Sequence, residues 1–420
     1  GLPIAIKAAF GGGGRGLKVA WKLEEVKELY ESAVREAKAA FGRGECFVEQ
    51  YLDKPRHVEA QVIADQHNNI VVLGTRDCSL QRRNQKLVEE APAPFISDEI
   101  YQQILTSAKN ICQAANYVGA GTVEYLLSRD GKLSFLEVNT RLQVEHPVTE
   151  ETSKVDLVVE QIRVAQGEAL SIKETPKAQG HAIEFRINAE DPARGFIPAF
   201  GVLSLFEAPF GNGVRVDTGV RTGSLVSSHF DSLMAKLIVT GPTREVVIAR
   251  AKRALKQFKI EGVASVLDFH RAVLNEPDFT DEFNVHTRWI ENDFKQELKP
   301  TKRCIPNHQQ PMLLSYIEID GKLHRLGLPA GMFAQGPATA VQAQTAEPEV
   351  SAEHLLAPIN GVISAWKVEN GEQVTEGQVV AIMEAMKMEV QVLAHRSGVI
   401  QIGAEKGATC HAETVIASIN

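Results

Sequence analysis

Along the first 299 residues the hydrophobic positions switch repeatedly between the two-residue period of strands and the 3.6-residue period of helices, with short punctuation between. This alternation predicts an α+β or α/β enzyme core, with α+β the expected class, that forms one large compact unit. Leu23 to Phe41 places Val26, Leu29, Tyr30, Ala33, Val34 and Ala37 at helical spacing, behind Glu24 and Glu25 where the helix dipole favours carboxylates. A second helix is expected to start at Ser97, a capping hydroxyl followed by Asp98 and Glu99. Leu17 to Trp21 reads as a short strand. Gly121 to Asn139 reads as two strands around Asp130-Gly131, the signal of a two-residue type I′ turn.

Beyond residue 299 the texture changes. Leu313 to Leu328 gives two alternating runs about Asp320-Gly321, a hairpin signal. Ala334 to Ala352 is rich in Ala, Gln, Pro, Thr and Glu with little to bury, and reads as a flexible linker. From His354 onward the chain repeats itself. Leu356 to Ile363 matches Leu393 to Ile400 at an offset of 37 (393 − 356), and Gly371 to Met383 matches Gly407 to Ile419 at 36 (407 − 371). Two copies of a short-strand unit with glycine turns predict a pseudo-two-fold β-sandwich whose halves bury each other's apolar faces. The expected division is 1–150, 151–299, a connector at 300–333, the linker at 334–352 and the β module at 353–420.

With 44% hydrophobic and 23% charged residues, disorder as the main state is excluded. The net charge of −8 gives no reason to expect nucleic acid or an anionic membrane as partner, so an anionic ligand must be held by a local cluster. Cys46, Cys78, Cys112, Cys304 and Cys410 are scattered without a C-x-x-C pair, which argues against a disulfide framework or zinc site and for a reducing cytoplasm. No stretch is apolar enough to span a membrane, and no secretory signal opens the sequence. The sequence starts at Gly1, inside what reads as a strand, so a missing N-terminal segment is expected.

The run Gly11-Gly12-Gly13-Gly14-Arg15-Gly16 contains G-x-G-x-x-G, but a dinucleotide fingerprint needs a helix next, where a strand is expected here. No Lys-Ser/Thr pair closes the run as in a P-loop. What remains is either a merely flexible hairpin loop or a glycine flap whose amides approach phosphate oxygens, with Lys7 and Arg15 supplying charge. In the 121–139 hairpin a two-residue turn makes facing residues sum to 261, as Glu124 and Glu137 do. Their β-carbons then lie about 5 Å apart, a destabilising pairing unless a cation bridges the carboxylates. Asn139 adds an oxygen on the same face, and all-oxygen ligation suits Mg²⁺ or Mn²⁺. A protonated carboxyl pair or a slipped register is the alternative. Glu137 to Glu150 carries too many charged and amide groups for a core strand and must line a polar site. Lys387, between Met386 and Met388, falls between the two halves of the C-terminal repeat, where an exposed turn is expected and flanking methionines are costly unless something recognises them.

Met386-Lys387-Met388 in such a module resembles the biotinyl carrier domain of biotin-dependent carboxylases, in which a biotin ligase joins biotin to the lysine; lipoyl carriers usually present Asp-Lys-Ala. Lys7 to Gly16, Glu49 to Leu52, Pro55 to Glu59, Arg76 to Arg83, Glu89 to Pro94, Glu137 to Glu150 and Arg186 to Pro192 together resemble biotin carboxylase, an ATP-grasp enzyme. The resemblance implies an ATP-grasp core, a biotin carboxylase C-terminal domain and then an all-β, lipoyl-like biotinyl sandwich. It implies that bicarbonate attacks the ATP γ-phosphate to give carboxyphosphate, which releases CO₂ to an enolised biotin. Glu124 and Glu137 then bind the metal with Asn139 close by. Lys7, His57 and Gln81 contact ATP, Glu49 and Leu52 sit at the adenine edge, and the flap closes over the phosphates. Arg141 and Lys86, with Gln143 and the Val144 backbone, hold bicarbonate; Glu145 deprotonates it; Arg215 in Gly213-Val214-Arg215-Val216 stabilises the biotin enolate.

Two departures stand out. Asn84 occupies a place where some relatives carry a nucleotide-contacting histidine, and the family's first domain has no counterpart before Gly1, so weak or absent bicarbonate-dependent ATPase activity is expected of this chain alone. From Leu298 to Leu355 there are 57 residues (355 − 298), too few for a carboxyltransferase domain. The implied protein is therefore a cytoplasmic, oligomeric α subunit of an acetyl- or propionyl-CoA-type carboxylase that hands carboxybiotin to a separate carboxyltransferase subunit. A carrier without catalysis, and an ATP-grasp ligase bearing a lipoyl-like domain, are the competing readings.

Overall fold

The computed structural model describes residues 1–10, 17–300, 312–319, 322–329, 353–359, 361–385, 388–410 and 414–420. The glycine run 11–16, the linker 334–352 and Lys387 lie outside the described residues. Strands β1 (Ile4–Ala8), β2 (Lys18–Ala20) and β3 (Cys46–Gln50) form a small antiparallel sheet in the order β2-β1-β3. Ile4 pairs with Ala20 and Ile6 with Lys18, so the strands on either side of the glycine run are antiparallel neighbours, as expected. Helix α1 (Val26–Phe41) buries Ala33 and Ala37, small side chains that let it lie close to this sheet. Gly42 ends it at φ +71°, a left-handed cap that glycine adopts without strain.

The main sheet has eight strands: β4 (Arg56–Ala64), β5 (Ile70–Arg82), β6 (Gln85–Ala91), β7 (Gly119–Leu127), β8 (Leu133–Asn139), β9 (His181–Asn188), β10 (Val214–Thr218) and β11 (Leu233–Gly241). Their order is β10-β11-β9-β6-β5-β4-β7-β8, antiparallel throughout. Helix α2 (Asp98–Ala114) starts where Ser97 Oγ accepts from the Ile100 N–H at 3.3 Å. Its Ile104, Ala108 and Cys112 pack on Val58, Val62, Val123 and Tyr125 of one sheet face. Helices α3 (His146–Ser153) and α4 (Leu157–Ala165) contact the sheet as well, α4 through Leu157 and Val164 against Ile63 and Val71. Because β6 pairs with β9, the sheet runs across residue 150, which itself lies within α3, and joins the two halves of the first 299 residues.

Strand β9 shows how the sheet separates core from chemistry. Ile183, Phe185 and Ile187 join the core that helix α5 (Arg244–Gln257) and α6 (Leu267–Val273) cover through Val247, Ala251 and Phe269. Each such fully buried large side chain contributes roughly 1.5–3 kcal/mol. The alternate residues Ala182, Glu184 and Arg186 point to the other face, where Ala182 packs with Ala91, Ile238 and Val148 of α3.

The β7–β8 hairpin differs from the expected type I′ turn. The Ser128 N–H donates to the Lys132 carbonyl and the Gly131 N–H to the Ser128 carbonyl, both at 3.0 Å, and Gly131 has φ +80°. This is a three-residue loop with a left-handed glycine, locked by Ser128 Oγ accepting the Lys132 N–H at 3.0 Å. Leu127 therefore faces Leu133 and Tyr125 faces Phe135, pairs that sum to 260. Leu136 is then an extra residue in β8, a bulge that restores the sum of 261, so Glu124 faces Glu137 as expected.

Residues 312–319 and 322–329 pair as the expected hairpin, Ile319 opposite Lys322. After residue 353 come two four-stranded sheets. One has the order His354–Leu356, Val415–Ile419, Gly398–Ile402, Gln373–Val374; the other has Met388–Leu393, Val379–Ala385, Gly361–Trp366, Thr409–Cys410. Offsets of 36 or 37 turn one order into the other (361 + 37 = 398, 379 + 36 = 415, 373 + 36 = 409), which is the predicted pseudo-two-fold. The buried residues obey it too: Ile363 with Ile400, Val380 with Ile416 and Met383 with Ile419 share one core. Among the described residues no helix is long and apolar enough to cross a membrane.

Candidate active site

A cavity of about 540 Å³ is lined from both the small and the large sheet. β1 contributes Lys7, β4 His57, β5 Gln81, β6 Lys86, β7 Glu124, and β8 Glu137 and Asn139. The segment after β8 adds Arg141, Gln143, Val144 and Glu145. Eleven residues expected from the sequence thus converge on one space, and Asn84 lies beside them.

Lys86 sits at the centre. Its three N–H donors meet Glu59 at 2.6 Å, Glu124 at 2.8 Å and Glu145 at 2.6 Å. Burial favours the neutral amine, but Glu145 and Glu59 outweigh it and hold the ammonium well above the ordinary lysine range. Burial likewise favours a protonated Glu145, and the adjacent Lys86 and Arg186 reverse that, so its carboxyl lies below its usual value. Glu145 is therefore ionised at neutral pH, the state a base needs. Arg186 spans two carboxylates, donating from Nε to Glu89 at 2.5 Å and from Nη2 to Glu145 at 2.8 Å.

Beneath this layer Arg76 is completely buried and its five N–H groups find five acceptors: Glu59 and Gln61 at 2.6 Å, Thr149 at 2.9 Å, Thr122 at 3.2 Å and Gln143 at 3.3 Å. Gln143 passes the order upward, donating to Glu124 at 3.1 Å. The Val144 carbonyl accepts from Lys236 at 2.9 Å. His57 and Gln81 are joined at 3.1 Å through the histidine Nδ1, and His57 Nε2 lies 3.3 Å from Glu124.

The donor set fits a hard cation. Glu124 and Glu137 face each other and Asn139 lies two residues on, all lining the cavity. Among the described residues nothing hydrogen-bonds or pairs with the Glu137 carboxylate, which leaves it available as a ligand. Arg141 also faces the cavity with one hydrogen bond among the described residues, to the Leu142 carbonyl at 3.3 Å.

Three expected residues do not line the cavity. Glu49 is instead an ion partner of Lys7 at 2.5 Å, and Leu52 is half-buried outside the lining. Arg215 is engaged elsewhere, donating to both oxygens of Asp217 at 2.9 Å and to Glu151 at 3.2 Å. The sequence reading missed Arg186, Lys236, Glu59 and Arg76. For Arg186 a signal existed: Glu184 and Arg186 alternate with Ile183, Phe185 and Ile187, and charges on one face of an otherwise apolar strand mark a polar site.

Comparison with known proteins places this geometry in context. Residues 1–173 match the family model described as carbamoyl-phosphate synthase L chain, ATP binding domain; 184–292 match the biotin carboxylase C-terminal domain; 353–419 match the family described as biotin-requiring enzyme. The biotin-dependent acyl-coenzyme A carboxylase alpha3 subunit of Mycobacterium leprae is 53% identical over 439 residues, covering all of this chain and 73% of that protein. A biotin carboxylase complex from Campylobacter jejuni superposes with a TM-score of 0.67 at 40% identity, over 69% of this chain and 65% of that one. The biotin carboxylase domain dimer of Hydrogenobacter thermophilus 2-oxoglutarate carboxylase, solved with MgADP, ADP and bicarbonate, gives 0.66 at 40% identity over 70% and 66%. The chain thus spans just under two thirds of each of these two solved structures.

Proposed function

The chain belongs to the biotin-dependent acyl-coenzyme A carboxylase alpha subunits, with a biotin carboxylase unit fused to a biotinyl carrier, and we propose how its residues carry out the ATP- and bicarbonate-dependent carboxylation of biotin. The observation that carries the assignment is Glu145, buried and ionised between Lys86 and Arg186, in the same cavity as the facing carboxylates Glu124 and Glu137. Glu145 takes the proton of bicarbonate. Arg141, whose guanidinium is nearly unengaged, holds the planar anion and Lys86 adds its positive charge, with Gln143 and the Val144 backbone setting the orientation. Glu124, Glu137 and Asn139 would hold a divalent cation, which would supply the neutralisation of nucleotide phosphate charge that phosphoryl transfer mostly requires. Lys7 from the small sheet and His57 and Gln81 from the large sheet bind the nucleotide, and the glycines 11–14 and 16 serve its phosphates.

Lys387 would carry biotin through an amide, and the biotin would supply the ureido nitrogen that takes up CO₂. To Arg215 we assign the negative charge that would develop on the ureido oxygen, while Arg186 fixes Glu145 beside it. A biotin protein ligase modifies Lys387, and a separate carboxyltransferase subunit receives the carboxyl group in the cytoplasm. The working protein is an oligomer. The test is bicarbonate-dependent ADP release by the full-length protein with free biotin. Glu145→Gln is expected to remove it by about 10² to 10⁴-fold, the usual worth of a general base. A variant with wild-type turnover refutes the role. Intact mass after biotin ligase treatment is expected to rise by one biotin in the wild type and to stay unchanged in Lys387→Arg.

A further inference from the structure

Two carboxyl groups lie directly behind Arg186 and none of the steps above uses them. Glu89 on β6 and Glu184 on β9 are opposite each other in the antiparallel ladder, which sets their β-carbons about 5 Å apart on one face. Both are 0% exposed. Glu89 Oε1 accepts from Arg186 Nε, while Glu89 Oε2 and both oxygens of Glu184 have no hydrogen-bond partner among the described residues. The other charged or titratable groups facing this pair are Arg186 from β9, Lys236 from β11, Lys86 from β6, Cys78 from β5 and Glu145 at the start of α3, with His146 next to it. On the remaining side α3 closes the pair off with Val148 over Ala91, Ala182 and Ile238.

A carboxylate without a donor, shut away from water, takes up a proton rather than bear the desolvation of its charge. We propose that Glu184 is a neutral acid in the working enzyme and acts as a positioning residue, leaving Glu89 as the acceptor that anchors Arg186 Nε while Glu145 holds its Nη2. The proposal rests on the biotin carboxylase reading and deepens it. With Glu184 neutral, Arg186 is held at Nε by Glu89 and keeps Nη2 on Glu145, and Lys236 stays on the Val144 carbonyl. A second negative charge at Glu184 would draw both cations down into the sheet, away from Glu145 and from the Val144 backbone. The direction of titration agrees: burial, then Glu89, push Glu184 well above the carboxylate range against Lys236 and Arg186. Burial pushes Glu89 up to about 7 against Arg186.

The first experiment is infrared difference spectroscopy of the full-length protein in D₂O. The wild type is expected to show the C=O stretch of a protonated carboxyl at pH about 8, a unit above Glu89, and Glu184→Gln to lose it; a wild type without that band overturns the proposal. The second is the pH profile of kcat/KM for biotin. Gln cannot ionise, so the alkaline limb in Glu184→Gln is expected to move up by about one pH unit or more, a tenfold difference in the limb. Coincident limbs overturn the positioning role even if the infrared band is present. A wild type without bicarbonate-dependent turnover removes the enzymatic reading, and the positioning role with it, while the infrared result still decides whether Glu184 is protonated.

Discussion

Replacing Arg76 by lysine tests how the floor of the active site is held. The guanidinium places five N–H groups on five acceptors in a completely buried position. Lysine brings three donors on a single nitrogen, so at least two of Glu59, Gln61, Thr122, Gln143 and Thr149 lose their partner. Hydrogen bonds to a charged group are worth about 1.5–3 kcal/mol each, so two lost bonds cost about 3–6 kcal/mol. Lys86 still holds Glu59 at 2.6 Å and threonine hydroxyls can rotate, which favours the lower end. The expected loss is thus about 3 kcal/mol, close to that for breaking a buried ion pair. Denaturant unfolding of the full-length protein, followed by near-UV circular dichroism, measures it. Gln143, freed from below, should also orient Glu124 less well, so bicarbonate KM should rise. An Arg76→Lys protein within 1 kcal/mol of the wild type would refute the reasoning, since the fork geometry would then carry no energy.

Other outcomes follow from single residues. His270 Nε2–H donates to the Arg186 carbonyl at 2.7 Å while its buried Nδ1 has no partner, and burial, against that hydrogen bond, brings its value from 6.5 down to about 4. The unfolded chain then binds the proton first, so stability is full above pH about 6.5 and falls by up to about 3 kcal/mol as pH drops toward 4. In His270→Gln this part of the pH–stability curve should flatten. Gly262, at φ +90°, has no room for a β-carbon, which would sit 2.2 Å from the Val202 carbonyl oxygen and 2.7 Å from the Ser204 nitrogen. Gly262→Ala should cost more than about 2 kcal/mol in thermal or denaturant unfolding. Removing divalent cations with a chelator should weaken nucleotide binding in the wild type but change it little in Glu137→Gln, as titration calorimetry would show.

The facing of Glu124 and Glu137 was legible in the sequence, but through two departures that cancel. A glycine in the left-handed region made the turn one residue longer, and the Leu136 bulge took that residue back before the carboxylates were reached. A sum rule sees neither. The carrier repeat was legible because its symmetry is itself a sequence offset, so buried pairs such as Ile363 and Ile400 announce the fold directly. Arg76 was invisible for the opposite reason. Its partners Thr122 and Thr149 lie 46 and 73 residues away, and beside Asp77 it looks like any surface pair until the sheet and α3 close over it. Arg186 was missed because it shares a charged strand context with Arg215, and strand pairing alone decides that Arg186 meets Glu145.

The exchange of sheets within the carrier also fixes where that module is held. Ala385 faces Met388 at the junction of its halves, and the operation that swaps the sheets carries this junction onto the place where the module begins and ends, with the Ile419 N–H donating to the Glu353 carbonyl at 2.8 Å. Points related by a two-fold lie on opposite sides of its axis. The attachment to the rest of the chain and the 385–388 junction are therefore at opposite ends, separated by a strand such as Val379–Ala385, roughly 20 Å of rise. The carrier is thus entered by the chain at one end and carries the junction of its halves at the other, so the module's own length separates the two.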